Sequence, residues 1–261
     1  MTTGKKIVKN FVNHFFLLGE LVKKGIRLKY RRSYLGIVWS LIEPILTTIV
    51  LVIVFGTLFN NDSQTYPLYI ICGRLLYTYF STATKQASSS IRKNASMIKK
   101  VYVPKYLYPL SVVLYNYIIF LISLLVLILV AIYTRTMPTV LIWQVIPALV
   151  LILLLVCGVS MFLATLNVFF RDIEYLWNVI TMLIMYMSAI FYYPERLLAS
   201  GYAWILNYNP LYCIIDIMRG AMLGYQASLW DYGYAFCFSA AMLLFGTVIF
   251  RSKQDEFILH I

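Results

Sequence analysis

The chain has 261 residues, of which 62% are hydrophobic and only 12% charged. A soluble domain carries roughly 25% charged residues, so this chain cannot cover itself with polar surface and soluble classes are excluded. The formal charge of +12 does not point to nucleic acid, because nine of the 22 Lys and Arg lie between Lys5 and Arg32 and five more between Arg92 and Lys105, the pattern of cytoplasmic loops that face anionic lipid.

Residues 5–28 carry a helical stripe of large apolar side chains (Ile7, Phe11, Phe15, Leu18, Val22, Ile26) with Lys5, Lys9, Asn13, Glu20 and Lys24 off it. Such a basic amphipathic helix lies in the membrane interface. The basic run Arg27, Lys29, Arg31 and Arg32 then leads into a first span at 35–59. Guanidinium forks suit phosphate oxygens, while simple anchoring to the inner leaflet explains the same charges. Within this span Glu43 is followed by Pro44. An intramembrane carboxylate is a functional hypothesis by default; the alternative is a pairing across the bundle, with Arg74 or Lys85.

A second span at 66–84 returns to Lys85, Arg92 and Lys93, and the loop at 91–105 follows. Its centre, Met97, Ile98, Lys99, Lys100, Val101 and Tyr102, is partly apolar, and Pro104 and Pro109 stiffen its exit. An ordinary basic loop explains its charges but not that apolar centre. Spans at 108–133 and 139–169 follow, the latter ending at Arg171, Asp172 and Glu174, where Asp172 is placed to cap a helix. A fifth span covers 175–193 and a last one 229–250. Six spans with both termini cytoplasmic put 17 of the 22 basic residues inside.

Residues 194–228 are apolar but broken by Pro194, Gly201, Pro210, Gly220 and Gly224. Two short re-entrant half-helices at the outer face fit, since irregular backbone at membrane depth is tolerated only where protein or water surrounds it; a hairpin lying on the membrane is the alternative. Asp216 and Arg219, three apart, are expected to form a local ion pair there. The fold class is therefore all-α integral membrane, as one transmembrane domain over residues 1–261.

Tyrosine, with 22 copies, suits both an interfacial belt and a sugar-lined channel. Tyr77, Tyr79, Tyr115, Tyr117 and Tyr186 fall deeper than a belt requires, which makes them channel-lining candidates against ordinary helix packing. The four cysteines are scattered singly, and no disulfide framework or metal site is suggested. The two histidines lie near opposite chain ends, and the close carboxylate pairs, Asp172 with Glu174 and Asp255 with Glu256, fall in or beside loops. An enzyme acting on lipid-linked sugars, which needs positioned bases or metal ligands, is disfavoured. So is an ATP-independent transporter, since no inverted repeat with matching broken helices is visible.

Three stretches, LKYRRSYLGIVWSLIEPIL (28–46), IRKNASMIKKVYVPKYLYPLS (91–111) and NVFFRDIEYLW (167–177), together with NPLYCIIDIMRGAMLG (209–224), resemble the membrane subunits of bacterial ABC exporters for polysaccharides and polyol phosphates, the family that exports O-antigen, capsule and teichoic acid chains. Arg74 stands where the resemblance leads one to expect an apolar residue. The resemblance implies a homodimer in the bacterial cytoplasmic membrane, carrying two copies of a separate ABC ATPase that binds ATP and Mg²⁺. It further implies a lipid-linked polysaccharide as cargo, coupling through 97–102, and an outer gate at Asn209, Pro210, Asp216 and Arg219. No phosphate-binding G-x-x-x-x-G-K-[ST] loop is present in this sequence. An exporter of a small lipid or drug is the alternative within the same class, and the short outer loops favour polysaccharide.

Overall fold

The computed structural model describes residues 3–31, 33–59, 63–100, 103–136 and 139–260, with side chains from His14 onward except at Arg196. Among the described residues the chain forms helices and no strand. The amphipathic segment forms α1 (Thr3–Tyr30), and a 3-10 turn at Gly36–Val38 leads into α2 (Trp39–Phe59). Then come α3 (Tyr66–Ser88), the single turns α4 (Ser90–Lys93) and α5 (Ala95–Ile98), and α6 (Leu107–Tyr133). A second 3-10 turn, Val140–Gln144, opens α7 (Val145–Phe169), which is followed by α8 (Ile173–Met187). The single turns α9 (Glu195–Leu198) and α10 (Trp204–Asn207) precede α11 (Pro210–Leu223), α12 (Leu229–Lys253) and the terminal turn α13 (Phe257–His260).

Among the described residues four segments are long and apolar enough to cross a membrane: Gly36–Phe59, Leu107–Tyr133, Val140–Phe169 and Leu229–Lys253. The two other expected spans miss this standard for different reasons. Helix α3 has the length, 23 residues, but Arg74, Thr78, Thr82, Lys85 and Gln86 lower its hydropathy. Helix α8 has the apolarity but only 15 residues, about 22 Å of helix against a hydrocarbon core of roughly 30 Å. It stops at Ser188, and Ala189 takes a left-handed backbone (φ 47°) that turns the chain back.

Helix α3 is the hub, packing against α2, α6, α7, α8 and α11. Its Leu68, Ile71, Leu76 and Ala83 have no exposed surface and join Ile152, Val156, Ile214 and Ile215 in one core. Helices α7 and α12 make the most intimate contact because both present glycine: a Cβ on Gly246 would overlap the Gly158 carbonyl, and one on Gly158 would strike the α12 backbone at Leu243. Small residues at a crossing let backbones approach, the usual basis of helix association in lipid.

The broken segment differs from expectation in its parts. One genuine half-helix, α11, is present rather than two, preceded by single turns α9 and α10. It is no surface hairpin, since Cys213, Ile214, Ile215 and Ile217 are fully buried. A second, smaller core at one end joins Leu17, Leu18 and Leu21 of α1 to Ile98, Val103, Leu107, Tyr108, Phe250 and Phe257, so the amphipathic helix rests on the loop that leaves α3.

Candidate functional site

A cavity of about 460 Å³ opens between the end of α1, the first half of α2, α3 and α6. Its α3 wall is a stripe at four-residue spacing, Arg74, Thr78, Thr82 and Gln86, and these are among the few α3 positions not buried. Asn116 and Ser123 of α6 and Glu43 and Trp39 of α2 complete it. A polar stripe on a helix within an apolar bundle is stable only where it faces water or polar partners.

Several local features hold this cavity open. Pro44 has no N–H, so the Ser40 carbonyl loses its intrahelical partner; Ser123 Oγ of α6 donates to it instead at 3.0 Å, fixing α2 against α6. Tyr115 Oη (2.5 Å) and Asn116 Nδ2 (2.9 Å) both donate to Gln86 Oε1, and the Tyr115 ring lies against Gly25 of α1, where any Cβ would collide with it. Glu43 and Arg74 line the same cavity, yet neither forms an ion pair within 4 Å among the described residues. The expected pairing of Glu43 with Arg74 or Lys85 is therefore not formed. The guanidinium of Arg74 donates to Met185 Sδ of α8, at 3.9 Å.

The basic run at the end of α1 divides. Lys29 lines the polar cavity; burial lowers its pKa, and the Glu43 carboxylate opposes that shift. Arg27 and Arg31 line a separate, open groove with Ile26, Tyr30 and Ile37. Arg32 lies outside the described residues, as do Val101 and Tyr102.

In the loop 90–106, Ile98 is buried, Met97 half-buried, and Lys99 and Lys100 are exposed. The loop is fastened to the 167–177 stretch. Arg92 pairs with Glu174 at 3.3 Å, Asn167 donates to the same carboxylate oxygen, and Trp177 Nε1 donates to Thr84 Oγ1 at 2.9 Å. Lys105 reaches the Gln254 carbonyl and lies 5.9 Å from the Phe257 ring. Glu174 thus does more than mark a corner, because it ties α4 to the start of α8.

Asn209 caps α11, accepting from the amides of Leu211 and Tyr212, and its Nδ2 donates to the Met187 carbonyl and Ser188 Oγ at the end of α8. Pro210 follows at the first helical position, where a missing N–H costs nothing. Gly224 ends the helix in the left-handed conformation (φ 81°), a backbone state few other residues adopt without strain.

The expected Asp216–Arg219 ion pair is absent. Asp216 accepts instead from Tyr225 Oη at 2.8 Å. Arg219 points into the core with no exposed surface, its guanidinium 3.5 Å from the Tyr69 ring centroid. It donates to the carbonyls of Tyr69, Ala189 and Ile190. The reason is competition: three carbonyls and the Tyr69 ring draw Arg219 into the core, while Asp216 is taken by Tyr225.

The candidate tyrosines separate into types. Tyr79 lines the polar cavity and stacks on Phe120 at 5.0 Å. Tyr77 is buried and donates to the Thr181 carbonyl, and the partly buried Tyr117 donates to that of Leu149; both serve packing. Tyr115 orders Gln86 from the cavity's edge, and Tyr186 stands exposed on α8.

Sequence reading missed the α3 stripe, although its spacing of four was visible. It also missed Gln144, fully buried, which holds the 225–232 stretch through the Tyr225 carbonyl, the Ala227 amide and Tyr232 Oη. A lone glutamine at the head of an apolar span carries no such signal.

A bundle of apolar helices with a polar cleft in its interior, and a basic loop riveted to its core, is the architecture of a multi-pass membrane transport protein. The chain belongs to the ABC-2 type transporter family, which matches residues 17–223; it is a transport subunit rather than an enzyme, and the family implies a separate ABC ATPase as partner. The chain is 27% identical over 217 residues to the O-antigen export system permease protein RfbA of Klebsiella pneumoniae, covering 81% of this chain and 83% of that protein. It is 26% identical over 264 residues to the protein of the same name from Myxococcus xanthus, covering 97% and 98%. With the polysialic acid transport protein KpsM of Escherichia coli it shares 20% identity over 263 residues, 97% of each chain.

Proposed function

We propose that this chain is the channel-forming permease subunit of an ATP-driven exporter that moves lipid-linked polysaccharide across the bacterial cytoplasmic membrane. The observation that carries the reading is likeness along nearly the whole chain to proteins named as O-antigen and polysialic acid transport components. In this reading six helices cross the membrane with both termini inside, α3 and α8 being the two that hydropathy and length leave out, and α11 dips into the outer half beside the gate residues Asn209, Pro210, Asp216 and Arg219.

The subunit works as a homodimer on two ATPase subunits, which bind ATP and Mg²⁺. The exposed apolar side chains of α2 (Leu46, Ile49, Ile53) and α8 (Val179, Met182, Tyr186) leave a face open to lipid or to a second copy. The exposed Lys99 and Lys100, with 97–102 around them, take the thrust of ATPase closure, and the Arg92–Glu174 pair passes it to α8. Cargo enters by its phosphorylated head near Arg27, Lys29, Arg31 and Arg32.

Purification from the native host in mild detergent, with mass spectrometry of co-eluting chains, tests the class: one ATPase with a phosphate-binding loop per copy is expected, and repeated isolation without one rejects it. Lys99→Glu with Lys100→Glu is expected to abolish export while leaving membrane insertion and thermal stability unchanged. Normal export by that variant removes the coupling role.

A further inference from the structure

The cleft between α2, α3 and α6 holds a cation, Arg74, that forms no ion pair among the described residues. Arg74 lies eight residues into α3, about 12 Å from its start at Tyr66 and about 21 Å from its end at Ser88, which in the six-span reading sets it within the hydrocarbon layer. A charged side chain at such depth persists where it faces water or an opposite charge. Among the described residues Arg74 donates to the Met185 sulfur at 3.9 Å and has no carboxylate within 4 Å. Thr78, Thr82 and Gln86 continue its stripe along α3, and Lys29 lines the same cavity, so hydrogen-bonding side chains run along one wall beside the two cations. Glu43 lines the facing helix, leaving two cations against one anion.

We propose that this cleft is an anion-binding site in which Arg74 holds a phosphate or carboxylate group of the exported glycolipid part-way across the membrane. The inference rests on the exporter reading and deepens it by assigning a charge to the cargo. A guanidinium presents paired donors that match the planar or trigonal oxygens of these groups, and the hydroxyl and amide groups below it hold sugar hydroxyls or water as the anion passes. The anion has two possible sources, the phosphorylated lipid head and a charged group on the sugar chain.

The test uses the permease–ATPase complex in nanodiscs of zwitterionic lipid. Three probes are titrated by fluorescence or calorimetry: a carboxylate-bearing oligosaccharide, a neutral oligosaccharide of the same length, and a polyprenyl phosphate added to the disc. One of the two anionic probes is expected to bind about tenfold or more tightly than the neutral sugar, and to lose that advantage in Arg74→Leu but keep most of it in Arg74→Lys. Preference for the sugar carboxylate assigns the charge to the glycan, and preference for the polyprenyl phosphate assigns it to the lipid head.

Equal binding by wild type and Arg74→Leu overturns the proposal, as does full recovery of stability and binding in the exchange Glu43→Arg with Arg74→Glu, which would mark a structural ion pair. Absence of an ATPase in the purified complex overturns the exporter reading instead, so the two failures are distinguishable.

Discussion

Helices α2 and α3 are neighbours of similar length, 21 and 23 residues, and they invert the usual relation between hydropathy and burial. Helix α2 is strongly apolar apart from Glu43 and a few hydroxyls, yet only Ser40 and Thr48 along it are buried. Helix α3 carries two cations, several hydroxyls and a glutamine, and is the most enclosed helix of the bundle. The contrast shows what hydropathy measures in a membrane protein: contact with lipid, not participation in the core. A helix buried by other helices is free to be polar on the side that faces a cleft, whereas one open to lipid has no such freedom.

If α3 is the structural centre, the largest loss comes from its tie to α11. Arg219→Met removes three hydrogen bonds to carbonyls and the stacking on Tyr69, and is expected to destabilise by about 3–5 kcal/mol, read as a large fall in melting temperature and poor recovery from the membrane. Arg219→Lys keeps the charge but not the fork, so it recovers part of that loss. Leu76→Ala on α3, where the side chain has no exposed surface, is expected to cost about 2–5 kcal/mol through the cavity it leaves. Gly246→Val, which forces α12 off Gly158, is expected to cost about 1–3 kcal/mol by overpacking. Denaturant unfolding in matched detergent ranks the three, and a milder effect for Arg219→Met than for Gly246→Val would move the centre of the fold from α3 to the α7–α12 crossing.

The amphipathic helix, the first span, the third and fourth spans and the last were legible in the sequence because each is set by local pattern: a stripe for α1, uninterrupted apolar runs for the others. The end of the fifth was not. The apolar run continues to 193, but the helix stops at Met187, and the left-handed Ala189 beyond it gives its carbonyl to donors from Tyr69 and Arg219, residues distant in sequence. Sequence spacing likewise pairs Arg219 with Asp216 beside it and not with carbonyls reached through the core. The asparagine and glycine that bound α11 were read from motif, and they cap it through their own local chemistry. The polar cleft is an intermediate case: its α3 side is written in spacing, but Asn116, Ser123 and Glu43 join it only when three helices assemble.

The smallest expected effect sharpens the opening comparison. Ile53 on α2 is 61% exposed, and in lipid an exposed apolar side chain meets an environment as apolar as itself, so little hydrophobic energy favours one neighbour over another. Ile53→Ala is therefore expected to alter the stability of a single protomer by less than about 0.5 kcal/mol. The measurement is thermal unfolding across a dilution series in detergent. A small shift independent of concentration leaves α2 facing lipid or an open channel. A shift that grows on dilution means that the side chain is lost from a contact between copies, because only an association equilibrium couples stability to protein concentration. The homodimer reading expects the second outcome at Ile53 and none at Leu76, whose partners all lie within the same chain.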